Sequence, residues 1–309
     1  MAKNHPNPSA SNEASCHNDG TQGDASNNTT HYDIHNTQNT TYGDYILHKR
    51  RNVIRIGFQN FNGLTGREDD PVDRSLRDWI TDQDFDIFGV SEINLYWPRV
   101  KKHLQFHDRI SKWWAPGQTR AIHSYNITEK QLKRSVRQYG GTAQFSRGEA
   151  IARECERGSD FCNLGHWVWQ KYRGKNNKIL RVVTAYRPNP SYGQSTVYAQ
   201  HRAHFNQINK TKWEPRAQFL ADLQSEIQKW RDQKEQAVLM MDCNEDIRSD
   251  TIQKFLDEVG MKEIILDRHG SDAPGTYIDG TLPIDGLDEC CTCRIYLLRG
   301  RSPGATNGS

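Results

Sequence analysis

Residues 240–246, MMDCNED, decide how the rest of this 309-residue chain is read. The apolar run Ala237-Val238-Leu239 precedes them, so a buried strand is expected to deliver Asp242 and Asn244 at its carboxyl end. In open α/β sheets, ligands and catalytic groups collect at that end. Asp242 and Asn244 are two positions apart, so on an extended backbone they point to the same side. A carboxylate and an amide converging on one spot suit chemistry that handles a phosphate, a water and a hard metal ion. Asp-x-Asn also occurs in ordinary loops, so its weight comes from four other segments.

Residues 54–64 (IRIGFQNFNGL) form a strand-like stretch ending at Asn60, with Gly63 in the turn beyond. Residues 86–94 (DIFGVSEIN) form an apolar strand that delivers Glu92. Residues 179–189 (ILRVVTAYRPN) are β-branched and run into Tyr186, Arg187 and Pro188. Residues 275–286 (GTYIDGTLPIDG) carry Thr276 and Asp285. In order and spacing, these segments resemble the endonuclease/exonuclease/phosphatase superfamily, the DNase I-like metal-dependent phosphoesterases, across residues 52–286. The surrounding wording (YGGTAQFSRG, YRPNP, LMMDCNEDIRS, PIDG) is similar to the endonuclease domain of LINE-type retroelements.

The resemblance implies an α/β fold, a four-layer sandwich of two packed mixed sheets flanked by helices. It also implies hydrolysis of a phosphate ester with Mg²⁺, or Mn²⁺ in its place. Glu92 is the expected metal ligand, helped by Asn60, because Mg²⁺ takes few carboxylates and keeps several waters. Asp242 matches the residue that positions or deprotonates the attacking water, and Asn244 the amide that holds the phosphate. Tyr186 matches a phenol that donates to the phosphate oxygens, with Arg187 beside it adding charge, and Thr276 a strand hydroxyl near the site.

Asp285 matches an aspartate that orients a histidine within a Ser-Asp-His sequence on a closing strand. Here no histidine follows Asp285, and the last one, His269, sits in the polar stretch DRHGSDAPG. A C-terminally truncated domain is therefore expected over 51–289, followed by an atypical tail over 290–309 and an exposed sheet edge. Loss of one catalytic acid or base costs roughly 10²–10⁴-fold in rate.

Composition agrees with one substantial core. The net charge is only +3, so no global nucleic-acid signature exists. Between positions 99 and 137, however, ten Lys and Arg face two acids, and Trp113 and Trp114 lie among them. Such a segment holds a polyanion through phosphate contacts, or is simply a solvated face. Residues 1–50 are rich in Asn, Ser and Thr and nearly free of aliphatic side chains, so they are expected to be disordered. They have neither the apolar core of a signal peptide nor a transit-peptide pattern, and no run is long enough to span a bilayer. Seven scattered cysteines do not form a disulfide framework, which favours a reducing, intracellular location, with the nucleus preferred. Cys290, Cys291 and Cys293 lack a partner pair with zinc-ligand spacing.

Periodicity predicts a helix around Leu76, Trp79 and Ile80 and another over 214–233, feeding the Val238 strand. A third begins at Ser249 or Asp250 and stops at Gly260. Strands are expected over 141–146, 167–172 and 180–186. Three functions remain open: a Mg²⁺-dependent retroelement-type DNA endonuclease, an inactive nucleic-acid-binding relic, and a phosphoesterase acting on another substrate such as inositol phosphates, lipids or RNA. The basic, aromatic segment favours nucleic acid over small phosphates; DNA is the expected partner, RNA stays open, and nothing points to a membrane or a protein partner.

Overall fold

The computed structural model describes residues 48–67, 71–128, 135–191, 193–272 and 293–298. The expected disordered N-terminal tail, apart from its last three residues, lies outside them. The chain opens with β1 (Ile56–Asn60), α1 (Pro71–Asp82), β2 (Ile87–Ser91), α2 (Phe106–Ser111), β3 (Thr119–Ser124) and β4 (Thr142–Arg147). It continues through α3 (Glu149–Arg153), β5 (Glu154–Ser159), β6 (Trp167–Arg173), β7 (Ile179–Tyr186), α4 (Val197–Gln207) and α5 (Pro215–Asp232). The last elements are β8 (Gln236–Asp242), α6 (Asp250–Val259), β9 (Met261–Glu263), α7 (Ile264–His269) and β10 (Cys293–Leu298).

These strands make two mixed sheets, one of four strands in the order β1-β2-β4-β3 and one of six in the order β5-β6-β7-β8-β10-β9. Side-chain alternation builds four layers from them. On β8, Leu239 and Met241 pack with Phe219, Leu223 and Ile227 of α5 and Phe255 of α6, while Val238 and Met240 join Ile87 and Val182 between the sheets. On β2, Phe88 and Val90 pack outward with Leu76 and Ile80 of α1 and Phe106 of α2. Central strands covered on both faces read as continuous apolar runs. The helix signals hold to the residue: Ser249 Oγ accepts from Ile252 N at 3.3 Å, and Gly260 ends α6 in the left-handed region at φ 65°.

The layer between the sheets is also polar. Thr184 Oγ1 donates to Gln144 Oε1 at 2.9 Å, and Gln144 Nε2 donates to Gln170 Oε1 at 3.0 Å. Gln170 Nε2 then donates to Glu154 Oε2 at 2.9 Å, which also accepts from Ser146 Oγ. Buried polar groups that are mutually satisfied fix one register between the sheets at little net cost. Within the 290–309 tail, the backbone of β10 pairs antiparallel with β8 and β9 and covers the β8 edge. Ahead of position 51, Lys49 pairs with Asp86 at 2.8 Å and Asp84 at 3.0 Å.

The sheets approach closely at Gly89. A Cβ there would lie 2.1 Å from Thr184 Oγ1 and 2.7 Å from Met240 Cε. Replacing a strand glycine by alanine normally stabilises a protein by limiting the unfolded chain. Overpacking reverses the sign here, so Gly89→Ala is expected to cost about 2–3 kcal/mol, seen as a lower urea midpoint.

Candidate active site

Strand direction brings the site together. β1 and β2 run parallel with Asn60 opposite Ser91, and β7 and β8 run parallel with Tyr186 opposite Asp242. Because β2 faces β7 across the sandwich, four carboxyl ends meet at one edge. Asn60 Nδ2 donates to Asp242 Oδ2 at 2.6 Å, linking the two sheets across the edge. Glu92, one residue past β2, accepts hydrogen bonds from Tyr186 and from Asn60. Its backbone is left-handed, at φ 51°, an uncommon state for a non-glycine residue. That turn is held by Gly63 N donating to Glu92 O at 2.7 Å and Leu64 N donating to Ile93 O at 2.8 Å.

The electrostatics follow from burial. Asp242 is fully buried, and desolvation, followed by the charge of Glu92, pushes its carboxyl well above the usual range. Desolvation also raises Glu92, against the hydrogen bonds from Tyr186 and Asn60. The Tyr186 phenol, 4% exposed, is pushed well above its ordinary value by burial and by both carboxylates. It therefore keeps its proton and acts as a donor. Asn60 and Glu92 are half-buried and form the side of the site that meets solvent.

One expectation about the 240–246 stretch is corrected. Asp242 and Asn244 do not lie on one extended backbone: β8 ends at Asp242, and Asn244 turns to φ 48° with its N–H on Asp242 Oδ1 at 3.3 Å. Its side chain instead donates to Arg187 O at 2.7 Å, tying the two loops beneath the site. Arg187 is buried, with Nη1 on Glu245 and on Cys243 O, and its N–H on Asp242 O. A guanidinium consumed by carboxylate and carbonyl partners braces the loop rather than a ligand. Thr276 and Asp285 lie outside the described residues, so their expected roles stay expectations.

The basic segment divides. Arg109 is buried and paired with Asp73, and Trp113 and Trp114 pack against the α1–β2 core, with Arg147 over the Trp114 ring at 5.1 Å. Arg99, Lys101, Lys102, Lys112, Arg120 and Arg137 are exposed. Arg99 lies over Tyr96 at 5.5 Å and Arg137 over Tyr139 at 4.9 Å. The intervening loop is fixed by Asn94 N donating to Gly140 O and Gln138 N donating to Asn94 O.

No model of a known protein family matches the sequence, and no curated protein matches it. Solved structures do. The AP endonuclease LMAP from Leishmania major superposes with a TM-score of 0.57 at 9% identity, covering 79% of each chain. The 3′-5′ exonuclease NExo from Neisseria meningitidis gives 0.51 at 13% identity, covering 79% of this chain and 86% of that one. An AP endonuclease from Archaeoglobus fulgidus gives 0.50 at 17% identity, with the same coverage. The chain shares the fold of these nucleases. At these identities the likeness carries the fold alone; the site rests on its own geometry.

Sequence reasoning missed Glu245, although it stands inside MMDCNED. It accepts from Arg187, from Arg216 Nη2 at 2.6 Å and from Ser249 Oγ at 2.6 Å. Burial opposes its ionisation, but Ser249 and the two arginines outweigh that and hold its pKa at about 2. Only the two distant arginines reveal this role, and neither is adjacent in sequence. Its folded-state pKa lies below the ordinary 4.5, so its stabilisation is complete above that value and is lost as pH falls towards 2. Glu245→Gln is expected to lower stability at pH 7 by on the order of 2 kcal/mol, with the gap to wild type closing between pH 4.5 and 2 in urea titrations.

Proposed function

We propose that this chain is a divalent-metal-dependent phosphodiesterase that nicks DNA, of the retroelement endonuclease kind. The observation that carries this reading is the convergence of Asn60, Glu92, Tyr186 and Asp242 at one sheet edge, with two desolvated carboxylates of which Asp242 is raised further by the charge of Glu92. That donor set, carboxylate and amide oxygens without sulfur or imidazole, fits Mg²⁺ or Mn²⁺. Glu92 and Asn60 would hold the ion, which when bound supplies charge neutralisation at the phosphate.

The residues divide the remaining work. Asp242, kept dry and raised in pKa, is a stronger base than a solvated carboxylate and takes a proton from the attacking water. Asn60 fixes the orientation of both carboxylates through its amide. Tyr186 donates its phenolic proton as a hydrogen bond to a phosphate oxygen, and Asn189 N donates to the phenol from behind. Asn244 holds the Arg187 backbone, and with it Tyr186, in place.

DNA is favoured as substrate by the stacked rim. Arg99 on Tyr96 and Arg137 on Tyr139 present cation and ring together, a surface suited to phosphates and unstacked bases. A structural neighbour described as a 3′ phosphatase, NExo from Neisseria, has been solved bound to a product DNA hairpin, with a TM-score of 0.52.

The test is nicking of supercoiled plasmid by the purified chain, with Mg²⁺ or with EDTA. Nicking is expected with Mg²⁺ alone, and Glu92→Ala, with unchanged circular dichroism, is expected to lose roughly 10³-fold. Tyr186→Phe is expected to lose ~10²-fold with the metal requirement retained. A folded wild-type chain that binds DNA without nicking it would favour the nucleic-acid-binding reading instead.

A further inference from the structure

A second cluster stands behind the catalytic edge, in the loop that joins β5 to β6. Asp160, Cys162 and His166 each offer a ligand-type atom, and the three atoms lie within 4.8 Å of one another. Cys162 Sγ is 3.2 Å from Asp160 Oδ2 and 3.6 Å from His166 Nδ1. Tetrahedral zinc, with bonds of about 2.3 Å to sulfur and about 2.0–2.1 Å to nitrogen or oxygen, sets its ligand atoms roughly 3.5 Å apart. Both distances from Cys162 Sγ match that spacing.

The outer contacts are those a metal ligand needs. Asp160 Oδ1 accepts from Ser124 Oγ at 2.5 Å, and Oδ2 accepts from Leu164 N at 2.7 Å, so the carboxylate is fixed in direction. His166 Nε2 faces His201 Nδ1 at 3.2 Å. Ligation through Nδ1 leaves the His166 proton on Nε2, where His201 accepts it, the outer-shell arrangement that orients metal-bound imidazoles. The surrounding field is negative. Asp222 of α5 is held above its ordinary value by burial and then by the charges of Asp160 and Glu226, and its own charge acts in turn on Cys162. A cation at the cluster relieves all of these groups at once.

We propose that Asp160, Cys162 and His166 form a zinc site, with water in the fourth position, that braces the strand ends behind the catalytic edge. The link is direct, because Tyr186 N donates to His166 O at 2.8 Å. Burial pushes the Cys162 thiol up and holds His166 near 4, so the metal-free cluster carries a neutral thiol and a neutral imidazole. Zinc binding then forms an S–Zn bond and releases the thiol proton to solvent, without any redox step.

The experiment loads the full-length chain with Zn²⁺ or Co²⁺, dialyses it, and reads metal content and the thiolate-to-cobalt charge-transfer band. One tightly held ion and a clear band are expected, with about one proton released per zinc bound. Cys162→Ser, nearly isosteric and at a half-exposed position, should abolish the band while the chain stays folded. Glu92→Gln should retain it, which separates this site from the catalytic edge. Cys290→Ser/Cys291→Ser/Cys293→Ser should also retain it. No bound zinc in wild type, a band that survives Cys162→Ser, or a band that vanishes with the three C-terminal cysteines would overturn the proposal.

Discussion

Two parallel strand pairs face each other in this fold, and the spacing between them is set where Gly89 of β2 meets Thr184 of β7 and Met240 of β8. That approach depends on the absence of a side chain, and the site depends on that approach. Asn60 stands on one sheet and Asp242 on the other, yet their side chains meet at 2.6 Å. A hydrogen bond of that length tolerates little change in the distance between sheets. The Thr184–Gln144–Gln170–Glu154 chain of hydrogen bonds works in the same direction, because it is satisfied in only one register of the two sheets.

Charge is distributed unevenly around this edge. Glu92 and Asp242 are desolvated at the site with like charge as their neighbour, which costs stability whenever both are ionised. One layer behind them the sign reverses: Glu245 collects Arg187, Arg216 and Ser249 in the loop that follows Asp242. Asp242 thus ends a strand whose following loop is held by a favourably paired carboxylate, Glu245. Strain at a working site is sustained where the surroundings over-determine it. The left-handed backbone of Glu92, laced to Gly63, belongs to the same pattern.

Much of this was legible in the sequence, because it depended on local chemistry. The β8 run, the Ser249 cap, the Gly260 stop and the helix over Pro215–Asp232 each follow from a short pattern whose physics is contained within it. Strand reading also placed Asn60, Tyr186 and Asp242 at the ends of β1, β7 and β8, and Glu92 just past β2. What was not legible is what happens once the strand stops. Period-two reasoning placed Asn244 beside Asp242, but the pleat that justifies it ends at Asp242, where the aspartate carboxylate captures the Asn244 N–H and turns the chain. Arg187 looked like a phosphate ligand because burial is invisible in a one-residue context, and the same blindness hid Arg109 and its partner Asp73. The β5 strand, ECERGS, has no apolar alternation, since only Glu154 points fully inward, and there towards polar partners.

Those failures share a cause that bears on how such a site is built. Apart from Asn244, the residues involved are polar groups whose partners lie at least 16 positions away in the chain: Arg187 and Arg216 with Glu245, Arg109 with Asp73, Glu154 with Gln170. Hydrophobic periodicity fixes which face of an element is covered, whatever covers it. A buried ion pair or amide network requires particular partners at hydrogen-bond distance, because each unsatisfied member costs more than the completed pair returns. The apolar pattern therefore specifies the sandwich, while the long-range polar pairs specify which of its geometries is populated. Only a geometry that brings Asn60 to Asp242 and Tyr186 to Glu92 forms the candidate site.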